Sequence, residues 1–216
     1  MTFQEIRNNE EINNYIESAD QYLASIGFTE HSFNHVLRCV AVVEYILKEL
    51  GYDEHTIELA KIAAYMHDIG NVINRDDHAK CGAIMAFQIL SKLKMPGKDI
   101  ASIISAIGNH DESSAYPVSV ISSALILADK TDVRRTRVRE HNDFSIHHRV
   151  NYAVENSRVV VNKEKKELIL RLTIDTSICS IMDYFEIFLS RMMLCKKACE
   201  FFGLSFRLLM NEQPVL

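Results

Sequence analysis

The scarcity of helix-breaking residues is the feature that most constrains the fold of this chain. Only seven glycines and three prolines occur among its 216 residues, so long segments can continue as helix without interruption. Residues 31–50 carry apolar side chains at spacings of three and four, which is typical of one buried helix face. Together with capping residues and breakers, this pattern predicts consecutive helices near residues 9–26, 31–50, 54–69, 78–94, 97–109 and 117–131.

The composition changes after residue 150. Valines at 159–161 and the alternating segment 168–174 predict two strands joined by a hairpin loop. A long helix over about 178–202 and a strand over 204–210 follow. We therefore expect a mostly α fold, with a helical bundle over residues 1–150 and a small C-terminal α+β unit over residues 151–216. That unit has the order ββαβ, in which the long helix covers an antiparallel sheet.

Charge and composition exclude several classes of protein. The net charge of -5 argues against a dedicated nucleic-acid binder, and no apolar run approaches the roughly 18–20 residues of a membrane span. The N-terminal segment lacks the basic start and apolar core of a secretory signal. Five cysteines without a CxxC pair indicate reduced thiols rather than a disulfide framework. We expect a cytoplasmic protein.

Histidines and aspartates occupy positions on apolar helix faces, where polar groups need compensation. Taken singly, such a histidine is usually a hydrogen-bonded core residue, and such an aspartate a cap or an ion-pair partner. As a set they lie near the ends of different predicted helices, where the helices of a bundle can converge. Because buried carboxylates without matching lysines are costly, the set suggests a bound cation. Its members are His35, His67, Asp68, His110 and Asp129.

Mixed imidazole and carboxylate ligands suit Mn²⁺, Fe²⁺, Ni²⁺, Co²⁺ or Zn²⁺ better than Ca²⁺. The sequence lacks the thiolate spacing of a structural zinc site. The residues therefore favour a site for a transition-metal ion or Zn²⁺ that is not a purely structural zinc centre.

Three motifs in order resemble the HD-domain metal-dependent phosphohydrolase superfamily. They are His35 in FNHVLRCV, the doublet His67-Asp68 in AAYMHDIGN, and Asp129 in LILADKTD. The resemblance covers about residues 30–135, and the helical bundle of that superfamily agrees with the helices predicted above. It implies that these four residues ligate one divalent metal.

Two further histidines fall where binuclear members of the superfamily place additional ligands. They are His78 in HAKCGA and His110 in GNHDE. With them, six ligands could hold two metals, and Asp68 would bridge the pair. The alternatives are an exposed histidine at a helix start for His78 and, for His110, a helix C-terminal residue favoured by the helix dipole.

The resemblance implies hydrolysis of a phosphate ester or anhydride, and a nucleotide is the expected substrate class. One or two divalent ions (Mn, Fe, Ni, Co, Zn or Mg) would lower the pKa of water and neutralise phosphoryl oxygens. Asp68 could orient that water as well as ligate. Lys130 and Arg38 are candidates for phosphate contact, and Asp111 could act in acid–base chemistry or hydrogen-bond a ligand histidine.

The arginine-rich segment 132–139 allows two interpretations. Arg134 and its neighbouring arginines could form an electropositive rim for phosphates. They could equally be a solvated face that pairs with Asp132, Glu140 and Asp143. The next histidines, at 147 and 148, are predicted to be surface residues.

Two other functions use the same residues. The superfamily scaffold with six His and Asp ligands also supports di-iron oxygenase chemistry in some members. A non-catalytic regulator could instead bind a nucleotide in the helical domain, while the unit over residues 151–216 transmits that event or forms a homodimer. In every case the expected partner is a small phosphorylated molecule or another copy of the chain, without a membrane or a dedicated nucleic-acid interface.

Overall fold

The structure, a computed structural model, describes residues 1–139 and 145–215. The predicted helices and strands are present in the predicted order, together with two short α-helices and a two-residue strand that the sequence analysis did not predict. The helices are α1 (Phe3–Arg7), α2 (Glu10–Ser25), α3 (Phe33–Glu49), α4 (Glu54–Met66), α5 (His78–Lys92), α6 (Gly97–Gly108), α7 (Val120–Lys130), α8 (Ile146–Ala153) and α9 (Ile181–Phe201). Short 3-10 helices span Ile69–Val72 and Arg135–Arg137. The strands are β1 (Val154–Asn162), β2 (Glu167–Ile174), β3 (Ser205–Met210) and β4 (Gln213–Pro214).

Side-chain caps fix where several of the bundle helices begin. Asp53 accepts a hydrogen bond from the Thr56 backbone N–H at 2.9 Å and caps α4. Ser32 caps α3 and Ser119 caps α7 in the same manner. These caps set the start of α3 three residues before His35, so this histidine projects from the first turn.

Two apolar clusters form the core. The first joins α1 to α7, and the second joins the sheet, α8 and α9. The second cluster also contains Ile46 of α3 and Ile126 and Leu127 of α7, so α3 and α7 lie between the bundle core and the sheet. The division of the chain at residue 150 stays a prediction; α8 and β1 join directly at Ala153 and Val154.

The C-terminal sheet is mixed, where we predicted an antiparallel one. Its order is β1-β2-β3-β4; β1 pairs antiparallel with β2, β3 pairs antiparallel with β4, but β2 and β3 are parallel. The reason is the 21-residue helix α9 between β2 and β3, which carries the chain back to the end of the sheet where β2 begins. The mostly α fold with a small α+β unit is otherwise as predicted.

Within the described ranges, no helix combines the length and the apolar character that crossing a membrane requires.

Candidate metal centre

The ends of five helices meet at one buried point. His35 comes from the first turn of α3, Asp129 from the last turn of α7, and His78 is the first residue of α5. His67 and Asp68 follow the end of α4, and His110 lies two residues beyond α6. Each of these six side chains was a candidate from the sequence, and the structure brings all six together. His35, His67 and His110 have no exposed surface at all.

A close approach of two glycines sets the position of the His67-Asp68 doublet. A Cβ atom on Gly70 would lie 2.0 Å from the His78 carbonyl oxygen and 2.4 Å from the Gly82 amide nitrogen. A Cβ atom on Gly82 would lie 3.2 Å from the His67 carbonyl oxygen. The turn after Asp68 therefore packs directly on the backbone of α5, because neither residue carries a side chain there.

The first group of polar atoms surrounds the Nε2 atom of His35. The His67 Nε2 atom lies 3.3 Å from it, the Asp129 Oδ1 atom 3.4 Å and the Asp68 Oδ2 atom 3.6 Å. The same Asp68 oxygen lies 3.2 Å from His67 Nε2. Four side chains from three helix ends thus present their donor atoms to one small volume.

The second group faces the other oxygen of Asp68. The Asp68 Oδ1 atom lies 3.6 Å from His78 Nε2 and 3.8 Å from His110 Nε2, and these two nitrogens are 3.2 Å apart. Asp111 lies at the edge of this group, with its Oδ1 atom 4.0 Å from His78 Nε2. The two oxygens of Asp68 therefore point to two separate groups of imidazoles.

Hydrogen bonds at the far side of each ring fix the imidazole tautomers. The Nδ1 atoms of His67, His78 and His110 lie 2.6–2.9 Å from backbone carbonyl oxygens of Ala64, Arg75 and Ile107. A carbonyl oxygen can only accept, so each Nδ1 atom must carry the proton. In the neutral rings the Nε2 atoms are then lone-pair acceptors that face one another. A proton satisfies such an atom: burial lowers the pKa of His67, but Asp68 outweighs it and raises this pKa above its ordinary value. A metal ion can take the place of that proton.

His35 is oriented by a carboxylate instead of a carbonyl. Its Nδ1–H donates to Asp132 Oδ2 at 2.8 Å, and Asp132 is buried. Arg38 and Arg134 form ion pairs with Asp132 Oδ1, at 2.9 Å and 2.5 Å. Burial alone raises the pKa of Asp132, but the hydrogen bond from His35 and the charge of Arg137 hold it well below its ordinary value. Asp132 is therefore an ionised acceptor behind the His35 ring.

The carboxylates of the centre are also ionised. Burial raises the pKa of Asp68, yet the neighbouring His67 and His110 outweigh it and hold this pKa well below its usual range. The pKa of Asp129 is depressed in the same way, chiefly by Lys130 and His35 against the effect of burial. Two negative charges and four imidazoles are a donor set that suits a divalent transition metal or Zn²⁺.

Cys39 adds a sulfur atom to the rim of the first group. Its Sγ atom lies 3.8 Å from His35 Nε2. Burial, reinforced by Asp129, raises the pKa of this thiol well above its ordinary value, which favours the neutral thiol. Two sets of donor atoms each lie within 4.8 Å of one another, close enough to hold a metal ion: those of His35, Cys39, His67 and Asp129, and those of His67, Asp68 and His110.

The other candidates from the sequence divide between the pocket and the region behind it. A cavity of about 40 Å³ adjoins Asp68, His78, His110 and Asp129, and Lys130 lines it. Arg38 and Arg134 do not reach it; both lie behind His35 and contact Asp132, and Arg38 also donates to the Ser157 carbonyl oxygen. Glu140 and Asp143, the possible partners of the arginine-rich segment, lie outside the described residues.

Several pocket residues were missed by the sequence analysis. They are His31, Arg75, Asn151 and Arg191, together with His147, which we had predicted to lie at the surface. His147 packs edge-on against Phe188, with ring centroids 5.5 Å apart. For His31 the available signal was its residue type, four positions before His35. Arg191 had no signal, because the position of α9 relative to the bundle is a long-range contact.

All six candidate ligands lie in the part of the chain that a family model matches. The HD domain model matches residues 32–186, and the chain therefore belongs to the HD domain family, which confirms the resemblance seen in the sequence. HD domains bind divalent metals, and the side chains gathered here could hold one.

An uncharacterised protein of Methanocaldococcus jannaschii is 22% identical over 161 residues, which cover 64% of this chain and 62% of that protein. A crystal structure of a predicted HD superfamily hydrolase from an uncultured Thermotogales bacterium aligns with a TM-score of 0.47 and 24% identity, over 62% of this chain and 75% of the other.

Proposed function

We propose that this protein is a divalent-metal-dependent phosphohydrolase that acts on a phosphate ester or anhydride, with a nucleotide as its substrate class. The proposal depends on one observation: four histidine Nε2 atoms and two carboxylates face one another at a buried point. His35 Nε2 lies 3.3 Å from His67 Nε2, and His78 Nε2 lies 3.2 Å from His110 Nε2. The membership of the HD domain family supports the same conclusion.

In this proposal His35, His67, Asp68 and Asp129 would hold one ion, and His78, His110 and Asp68 would hold a second. When bound, such ions act as Lewis acids and lower the pKa of water toward neutrality. The identity of the ions is drawn from Mn, Fe, Ni, Co, Zn and Mg.

The remaining residues bind and orient. Lys130 lines the pocket, and its Nζ atom lies 2.6 Å from Asp129 Oδ2 and 2.9 Å from Glu112 Oε2. Burial lowers the pKa of Lys130, but Asp129 and Glu112 outweigh it and raise this pKa above its ordinary value, so the lysine stays charged and can neutralise a phosphoryl oxygen. Asp111, beside His78, is in position to accept or return a proton at its carboxylate.

The test is phosphate release from a panel of phosphomonoesters, phosphodiesters and nucleoside triphosphates, with each candidate metal supplied in turn. Asp68→Ala is expected to abolish both metal retention and turnover while the helical circular dichroism is kept. The matched control is Asp99→Asn in α6, where Asp99 contacts His55 of α4 away from the centre. This variant should behave as wild type. Equal turnover by metal-free protein would contradict the proposal.

The second candidate is di-iron oxygenase chemistry, which the arrangement of Asp68 between two groups of imidazoles also suits. Assays of anaerobically purified, iron-loaded protein separate the two. Consumption of O₂ that depends on substrate supports the oxygenase, whereas release of inorganic phosphate without O₂ supports the hydrolase.

A further inference from the structure

The pocket beside the candidate metal centre has a wall that does not come from the bundle. His147 and Asn151 of α8 and Arg191 of α9 line it together with Lys130 and Arg137. The C-terminal part of the chain thus closes one side of the cavity. With a volume of about 40 Å³, the cavity suits one compact group rather than a whole nucleotide.

Two contacts fix the side chain of Arg191 at this wall. Its Nε atom lies 2.5 Å from Glu112 Oε1, and its guanidinium carbon lies 4.6 Å from the centre of the Phe188 ring. Stacking on an aromatic face and pairing with a carboxylate both restrict the rotamers of an arginine. The cation is therefore held in one place before a ligand arrives.

Glu112 holds two cations next to each other. Its Oε1 atom contacts Arg191 and its Oε2 atom contacts Lys130, at 2.5 Å and 2.9 Å. Burial raises the pKa of Glu112, but these two cations outweigh it and keep the pKa far below its ordinary value. Lys130 also contacts Asp129 Oδ2 at 2.6 Å, so the wall gains positive charge when Asp129 serves a metal.

The balance of charge in the pocket favours an anion. Four cations line it, namely Arg75, Lys130, Arg137 and Arg191, against the carboxylates of Asp68 and Asp129. In the proposed function both carboxylates serve the metals, so the cations remain for the ligand. Arg137 already donates to the carbonyl oxygens of Glu30 and Asp132, and Arg75 donates to Asn71 Oδ1. Lys130 and Arg191 are the two lining cations that Glu112 holds side by side.

We propose that Arg191 of α9, next to Lys130, binds the phosphoryl group of the substrate, and that Glu112 is the residue that positions both cations. This inference rests on the proposed function and extends it to the C-terminal unit, which supplies a substrate-binding residue to a site built by the bundle. The ligand class is a compact oxyanion, a phosphoryl group that the cavity encloses while the rest of the substrate lies outside.

The experiment is calorimetric titration of inorganic phosphate into the full chain with its bound metal. Arg191→Gln should weaken phosphate binding about 10- to 100-fold, since a charge-assisted contact is lost. Arg191→Lys should lie between, because it keeps the charge and loses the planar fork. The matched control is Arg207→Gln on β3, where Arg207 pairs with Glu167 of β2. This variant should bind phosphate as wild type does. Metal content and helical circular dichroism are measured for each variant.

The outcomes separate this inference from the proposed function. Phosphate binding by Arg191→Gln within twofold of wild type at equal metal content overturns the inference, and so does a wild-type chain that binds no phosphate. If phosphate binding depends on Arg191 but no phosphoester is hydrolysed, the inference stands and the proposed function fails. If hydrolysis occurs with the same KM in wild type and Arg191→Gln, the proposed function stands and the inference fails.

Discussion

Asp132 lies behind the His35 ring, and its replacement tests whether that ring is a metal ligand. The Asp132 carboxylate accepts the His35 Nδ1 proton at 2.8 Å and aims the Nε2 lone pair at the other donor atoms of the centre. Asp132→Asn preserves the shape of the side chain but removes its charge. The ring then loses the charged acceptor that raises its basicity as a ligand, and faces a neutral amide that can accept from Nδ1 through oxygen or donate to it through nitrogen.

The structure sets the size of the expected effects. Loss of such an acceptor typically weakens metal binding about 10- to 100-fold. The substitution also leaves Arg38 and Arg134 without their carboxylate, and because these side chains are 32% and 20% exposed, we expect a cost of about 2–4 kcal/mol rather than the full cost of a buried pair. A domain of ordinary stability stays folded after such a loss.

Metal affinity is measured by competition with a chromophoric chelator, and the free energy of unfolding by urea titration of the chelator-treated protein. Asp99→Asn, at a partly buried aspartate whose Oδ1 atom lies 3.0 Å from His55 Nε2, controls for the loss of a carboxylate outside the centre. An Asp132→Asn protein that is folded and binds metal within twofold of wild type would show that His35 is not an oriented ligand.

Two further predictions concern packing and protonation. Gly70→Ala places a Cβ atom 2.0 Å from the His78 carbonyl oxygen, so we expect it to lower the free energy of unfolding by about 3 kcal/mol or more and to release the metal. The control is Gly97→Ala, whose Cβ atom would meet nothing within 4 Å. Urea titration should show no loss of stability for this control, and elemental analysis no loss of metal. Burial, with the charge of Arg191, lowers the pKa of His147 from 6.5 to about 4, so the unfolded chain binds more protons between these pH values and stability falls as the pH falls. Between pH 7 and pH 5 the free energy of unfolding of the wild type should fall by about 1–2 kcal/mol more than that of His147→Gln, after allowance for partial exposure. Equal falls in urea titrations would show that His147 is not held as a neutral imidazole in the folded chain.

The sequence predicted the gathering of the candidate ligands because each lies at the end of a helix with a clear apolar face. Spacings of three and four place His35 and Asp129 on buried stripes, and the adjoining helix ends then define where they meet. Local pattern was enough for these residues. Their roles as ligands stay a proposal that metal analysis decides.

Features that depend on long-range packing were not visible in the sequence. Arg191 reaches the pocket only because α9 packs beside α7, and the pairing of Asp132 with His35 joins residues 97 positions apart. The parallel pairing of β2 with β3 follows from the path of α9, which hydrophobic alternation does not specify. The five-residue helix α1 is too short for its periodicity to be recognised.

The most direct test of the account is the ratio of metal to protein in the chain purified without chelator, determined by elemental analysis after dialysis. Two groups of donor atoms on the two oxygens of Asp68 predict two divalent ions per chain. A chain that retains no divalent ion, after incubation with each of the candidate metals, would contradict the central claim that these histidines and aspartates form a metal centre.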